Sequence, residues 1–203
     1  TSANQWDEIL HFSKNDYYLN ILPLYHIGGL AIFFRSIYYN FVSIVLDYDK
    51  ENIVNQVNNN NIDYVSVVPK MVHDMIENKD LKILSQRIKM LIIGGDGVSK
   101  YIYDQLVKNN VNTYISYGMT ETSSGVSGYF LNQNYSFQPG FIGAPHNGVE
   151  IGLNDGNIFI KAESVMNRYV NDAFCNNLFI TGDIGESKDG KNYFICRKKD
   201  SII

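Results

Sequence analysis

Cysteine, net positive charge and long apolar runs are all scarce in this chain. Its two cysteines, Cys175 and Cys196, are too few for a disulfide framework and lack metal-site spacing. Seventeen basic residues against twenty-one acidic ones leave a formal charge of -4, which argues against a nucleic-acid backbone as the main partner. No uninterrupted apolar run approaches the roughly 20 residues that span a bilayer. Thr1 to Glu8 does not resemble a secretory signal, so a cytoplasmic location is the default expectation. Internal repeats, coiled-coil heptads, a zinc-ligand spacing, a Ser/His/Asp constellation and a catalytic-cysteine signature are all missing.

What is present is a folded-protein composition. The 203 residues are 45% hydrophobic and 19% charged, enough for one sizeable core or two small ones. The first two-thirds alternate between strand and helix patterns. Strands are expected at 18–22, 42–46, 64–68, 90–93 and 113–117. Helices are expected at 27–38, 51–59, from Pro69 through Ile76, and from a Ser99 cap to about Lys108. Strands spaced by helical segments argue for βαβ units, hence an α/β fold with a mainly parallel sheet flanked by helices. Such sheets bind ligands beyond the carboxyl ends of their strands.

Past Gly128 the pattern becomes short strands separated by Gly, Pro and Asn-Gly turns: 149–153, 157–161, 178–181 and 193–196. The expected division is an α/β part over residues 1–130 and a smaller β-rich subdomain over 131–203. A core strand arrives early, and Ser201-Ile202-Ile203 ends the chain without a capping element. Either the rest of a longer protein or a partner, such as a second copy, is expected to supply missing layers.

Four segments at strand exits carry groups suited to chemistry. Tyr117-Gly118-Met119-Thr120-Glu121-Thr122 combines an aromatic, a turn glycine, a hydroxyl and a carboxylate. Free backbone N–H groups with Thr120 suit a phosphate oxygen, and Glu121 suits a magnesium ion bridging it. An N-capped helix start explains the same residues without any ligand. Thr181-Gly182-Asp183 ends a strand with a carboxylate matched to two vicinal ribose hydroxyls, or closes an Asx-type turn. Gly94-Gly95-Asp96-Gly97 is either a loop that lets backbone approach a flat ligand or a tight turn. It lacks both the dinucleotide fingerprint and the P-loop lysine. His26, in Pro23-Leu24-Tyr25-His26-Ile27-Gly28-Gly29, is a core histidine or a pocket wall. His11, His73 and His146 read as structural or surface residues.

Together these blocks resemble the adenylate-forming acyl-CoA synthetase superfamily. Pro23 to Gly29 is similar to its P-L/F-x-H-x-G-G block, and Tyr117 to Glu121 to its Y/F-G-x-T-E block. Thr181 to Asp183 resembles T-G-D, and Arg197-Lys198-Lys199-Asp200 the start of the hinge before a C-terminal domain. The resemblance implies ATP and Mg²⁺ converting a small carboxylic acid to an acyl-adenylate, then CoA displacing AMP. It implies that Tyr117 stacks on adenine, with Gly95, Asp96, Gly118 and Met119 beside the nucleotide. Thr120 then holds the α-phosphate, Glu121 the metal, and Asp183 with Arg197 the ribose. His26, Gly94, Gly97, Ser123, Ser124 and Gly125 border the acyl pocket, and Lys199 is the hinge. His26, Thr120 and Glu121 form the expected catalytic set.

The departures limit that expectation. No Ser/Thr/Gly-rich phosphate loop ending in Pro-Lys is present, and the C-terminal domain with its catalytic lysine is absent. Asp96 stands where a small apolar residue is more common. The expectation is therefore an active parent ligase of which this piece alone is inactive or nearly so. The alternatives are a non-catalytic homologue that keeps nucleotide or acyl binding, a scaffold role, or an acid–CoA ligase for a fatty or aryl acid.

Overall fold

The computed structural model describes residues 2–131, 136–187, 189–190 and 193–197. It opens with a helix the pattern did not suggest, α1 (Ser2–Leu10), which buries Trp6 and Leu10. Strand β1 (Tyr17–Asn20) follows, then the apolar helix α2 (Ile27–Tyr39), whose C-cap Asn40 takes the left-handed conformation that ends helices. Gly29 is required at the start of α2. A Cβ there would sit 2.5 Å from the Leu22 carbonyl oxygen and 2.6 Å from that of Pro23. Only glycine lets the helix begin this close to the chain leaving β1.

The βαβ rhythm then continues through β2 (Val42–Val45), α3 (Ile53–Asn59), β3 (Tyr64–Val67), α4 (Pro69–Glu77), α5 (Leu81–Leu84), β4 (Met90–Ile93), α6 (Lys100–Lys108) and β5 (Thr113–Met119). Pro69 opens α4 at a position where a missing N–H costs nothing. Ser99 caps α6, its hydroxyl accepting from the Ile102 N–H at 3.3 Å. Strands β6 (Ser124–Phe130) and β7 (Ala144–Pro145) complete a seven-stranded sheet in the order β2-β1-β3-β4-β5-β6-β7. The five strands β1 to β5 pair in parallel, and β6 and β7 are antiparallel.

Because strand side chains alternate, each central strand feeds two cores. Leu19, Val65, Leu91 and Ile93 pack with α3 to α6 on one face. Tyr18, Tyr64, Ile92 and Tyr114 meet Trp6 and Ile32 of α1 and α2 on the other. The helices on both faces keep water from a sheet that has no polar face to offer it.

The second sheet is antiparallel, in the order β11-β10-β9-β8, from β8 (Glu150–Asn154), β9 (Asn157–Lys161), β10 (Leu178–Ser187) and β11 (Tyr193–Arg197). A third core, with Ile151, Ile158 and Ile160 from this sheet and Val126 from β6, joins the two sheets. The α/β class with a smaller β-rich unit thus agrees with the expectation. Residues 144–145 nevertheless belong to the large sheet, and the small one starts at β8. Among the described residues no helix is long and apolar enough to cross a membrane.

Candidate functional site

The site forms where the carboxyl end of β5 meets β10. Tyr117 lies in β5, and its hydroxyl donates to Asp183 Oδ2 at 2.9 Å, linking the two sheets. Burial, then the nearby Asp183 charge, pushes the Tyr117 hydroxyl well above the usual phenol range, so it stays a donor. Asp183 was expected exposed at a strand end. It is instead buried within β10, which runs on to Ser187. The register shifts between Ile180 and Ile184, and Gly182 takes φ 78°. This bulge turns Asp183 toward β5 without ending the strand. Its N–H donates to Thr181 Oγ1, whose own proton goes to the Ile158 carbonyl at 2.9 Å.

The segment after Tyr117 is not a helix start. Thr120–Thr122 form one 3-10 turn, and the chain returns antiparallel as β6. Gly118 is the close approach that allows it, since a Cβ there would lie 2.2 Å from the Ser124 carbonyl oxygen. Thr122, fully buried, closes the turn. Its hydroxyl accepts from the Met119 N–H at 3.1 Å and reaches the Ser124 carbonyl at 2.8 Å.

A cavity of about 750 Å³ opens between these elements. It brings together Tyr117, Gly118, Met119 and Glu121 with Thr181 and Asp183, although more than 60 residues separate the two groups. The loop after β4 adds Gly95, Asp96 and Gly97, with Asp96 Oδ1 accepting from the Gly97 N–H at 2.7 Å. Aromatic residues that sequence reasoning missed, Tyr129, Phe137 and Phe141, make another part of the wall. Tyr169 was missed too. It lies in the connection between β9 and β10, and its hydroxyl donates to Glu121 Oε1. That hydrogen bond, followed by burial, pushes the Tyr169 hydroxyl up to about 12.

Several expected residues stand outside the lining. His26 is exposed at the N-cap of α2, in a turn its N–H closes on the Pro23 carbonyl at 3.0 Å, and is neither a core histidine nor part of this wall. Thr120 is exposed on the turn beside Glu121, and Gly94 is set back from the cavity. Ser123, Ser124 and Gly125 are engaged in holding the hairpin and do not line this cavity. Ser123 Oγ donates to the Ser164 carbonyl at 2.9 Å, and Ser124 Oγ accepts from Arg35 at 2.9 Å. Gly125 packs against Trp6 and Ser116, where a Cβ would collide with both. The Arg197 side chain and Lys199 lie outside the described residues.

Arg35 is a buried cation in an apolar helix, 4.5 Å above the Trp6 ring, and no carboxylate pairs with it among the described residues. Burial lowers its pKa to about 10. Beside it, His146 Nε2 meets the Tyr114 hydroxyl at 2.8 Å. Burial, helped by Arg35, pulls this imidazole down to about 4, so it is neutral.

The donor set suits a nucleotide with a hard divalent cation. Glu121 gives one oxygen to Tyr169 and keeps the other without a hydrogen-bond partner among the described residues. One such carboxylate, completed by phosphate and water, is the usual protein contribution to Mg²⁺. The half-buried Tyr117 ring offers a stacking face, and Asp183 lies at its hydroxyl end.

Comparisons with known proteins give the family and the fold. The family model described as AMP-binding enzyme matches residues 1–170. The 2-succinylbenzoate–CoA ligase of Lactococcus lactis is 30% identical over 204 residues, covering 97% of this chain and 44% of its own. The O-succinylbenzoate coenzyme A synthetase of Bacillus subtilis, solved with ATP and a magnesium ion, superposes with a TM-score of 0.86 at 23% identity. That match covers 100% of this chain and 46% of the other. A fatty acyl CoA synthetase of Mycobacterium tuberculosis also gives 0.86, at 20% identity over 100% and 44% of the two chains. The last two likenesses concern the fold. The chain spans a little under half the length of these relatives.

Proposed function

Because the chain belongs to the AMP-binding enzyme family, we propose that its cavity holds the adenosine and α-phosphate of ATP during activation of a carboxylic acid. The observation that carries this is the convergence of Tyr117, Glu121, Asp183 and the Gly95–Gly97 loop on one cavity from three distant stretches of chain. In this reading the Tyr117 ring stacks on adenine and Asp183 accepts from the ribose hydroxyls. Tyr117 holds that carboxylate by its hydroxyl, so the grip is oriented before the ligand arrives. Thr120, exposed on the turn beside Glu121, donates to an α-phosphate oxygen.

The substrate carboxylate then attacks the α-phosphorus, the bond to the β-phosphate breaks, and pyrophosphate leaves. Glu121 would hold Mg²⁺, which when bound would supply charge neutralisation for the phosphates. Thr120 and nearby backbone N–H groups offset the charge that builds on the α-phosphate, where one such donor contributes roughly 3–4 kcal/mol. Thioester formation follows when the CoA sulfur attacks the acyl carbon and AMP departs. CoA and the C-terminal part that would shape its tunnel are assigned to the longer protein, as Arg197 is to the ribose and Lys199 to the hinge.

For the acid, the reading is 2-succinylbenzoate and a place in menaquinone biosynthesis. It rests on the names of the curated relatives at about 30% identity. A fatty acid remains the competing substrate, because a fatty acyl CoA synthetase shares the fold equally well.

The test has two stages. AMP and ATP binding to this chain should be measurable by titration calorimetry, and Asp183→Ala should weaken it. Pyrophosphate release should be followed in the longer protein with 2-succinylbenzoate and with fatty acids. Thr120→Ala and Asp183→Ala should each cut that release by at least tenfold. Unchanged rates in both variants would remove the proposed roles.

A further inference from the structure

The connection from 162 to 177 is a compact loop over one side of the cavity. The Ala162 N–H donates to the Asn177 carbonyl at 2.9 Å and closes its base. Inside it, the Cys175 N–H reaches the Asn167 carbonyl at 2.8 Å, and the Arg168 guanidinium covers the Phe174 ring at 4.6 Å. These contacts tie the loop together, while residues 167–174 are themselves exposed. It meets the β5–β6 turn at Ser123, which donates to the Ser164 carbonyl, and twice more at Glu121. The Met166 N–H donates to the Glu121 carbonyl at 2.7 Å, and the Tyr169 hydroxyl donates to the Glu121 carboxylate. Tyr169 and Glu121 both line the cavity.

This double attachment is specific. The backbone bond sets where residue 121 sits, and the hydroxyl bond sets which way its carboxylate faces. With Oε1 taken by Tyr169, rotation of the carboxylate is restrained and Oε2 is left for another partner. Carboxylates that bind metals are themselves held by hydrogen bonds, and losing such a support typically costs 10- to 100-fold in metal affinity.

We infer that Tyr169 is a positioning residue for Glu121, restraining its carboxylate so that the second oxygen is presented to the nucleotide-bound divalent cation. The inference rests on the proposed nucleotide reading of the cavity. Tyr169 touches neither the reacting phosphorus nor the acid in this role, and acts only through Glu121.

The test uses Mn²⁺ as the probe, with the non-hydrolysable analogue α,β-methylene-ATP, and reads bound metal from the loss of the free Mn²⁺ electron-spin-resonance signal. Three proteins are compared: the unaltered chain, Tyr169→Phe and Glu121→Gln. Metal-free AMP affinity is measured alongside by calorimetry. Tyr169→Phe should weaken Mn²⁺ binding to the analogue complex at least tenfold and leave AMP affinity within twofold. Glu121→Gln should weaken Mn²⁺ binding at least as much. If Glu121→Gln lowers Mn²⁺ affinity and Tyr169→Phe does not, the positioning role is wrong while the site reading stands. Tighter Mn²⁺ binding in Tyr169→Phe would mean that the hydroxyl competes with the metal, which also overturns it. An equal loss of AMP affinity in Tyr169→Phe would reduce the tyrosine to a packing role. If Glu121→Gln changes nothing, or the unaltered chain binds no Mn²⁺ with the analogue, the nucleotide reading itself fails and takes the inference with it.

Discussion

Tyr117→Phe removes a side-chain hydrogen bond that spans the two sheets at the cavity. The change keeps the ring and removes only the hydroxyl, which donates to Asp183 Oδ2 at 2.9 Å. A hydrogen bond to a charged group contributes about 1.5–3 kcal/mol. Tyr117 is half-buried, so water can partly replace the lost donor, and the lower end of that range applies. At about 1.4 kcal/mol per decade, AMP affinity should fall roughly tenfold. The loss should concentrate on the ribose. The unaltered chain should prefer AMP over 2′-deoxy-AMP, and Tyr117→Phe should narrow that preference because Asp183 is no longer oriented. Calorimetry with both nucleotides on both proteins gives a four-way cycle whose coupling term is the quantity sought. Equal losses for AMP and 2′-deoxy-AMP would refute the orientation argument. An unchanged AMP affinity would refute any role for the Tyr117–Asp183 bond in binding.

Three further outcomes follow from packing and charge. Gly118→Ala should cost more than about 3 kcal/mol in urea unfolding, because its Cβ would meet main-chain atoms of Ser124 and Gly125 that cannot step aside. His146 is neutral in the fold with a pKa near 4, against 6.5 when exposed. The unfolded chain therefore binds the extra proton first, and stability should fall by roughly 3 kcal/mol as pH drops from 6.5 to 4. Urea midpoints across that range should show the slope, and a His146→Gln variant should flatten it. Lys89→Met should cost about 2 kcal/mol. It strands the buried Asp16 carboxylate, which Lys89 now meets at 2.6 Å, although the Ser13 N–H still donates to Asp16 and the lysine end is exposed. A urea midpoint equal to that of the unaltered chain would contradict this.

Much of the large sheet was readable from the residues because it repeats a simple unit. Strands such as Met90 to Ile93 are short, apolar and bounded by turn formers, and Pro69 and Ser99 mark helix starts by local chemistry alone. Helix α1 was not readable. Trp6 is buried by partners far along the chain, Arg35 and His146 among them, and no local pattern reports that. The β5–β6 hairpin was missed for a related reason. Gly-Met-Thr-Glu-Thr has the residue types of a capped helix, and the choice is made by Ser123 and Ser124. Both adopt positive φ and turn the chain back. The polar end of the site, Tyr117, Glu121 and Asp183, was legible because each type has a distinct chemical use. Its aromatic wall and Tyr169 were not, since such residues carry no ligand signature until the fold assembles them.

The irregularity at Gly182 makes the facing of residues in β10 depend on a count. Between Ile180 and Ile184 four steps along β10 stand against two along β9, so Thr181, Gly182 and Asp183 together face the single residue Ile158. The two extra residues keep the alternation beyond them in phase, and removing one of them would turn every later residue of β10 to the opposite side while leaving each chemically intact. The side on which each group of this strand emerges is therefore set by how many residues the irregularity holds, and not by the letters alone.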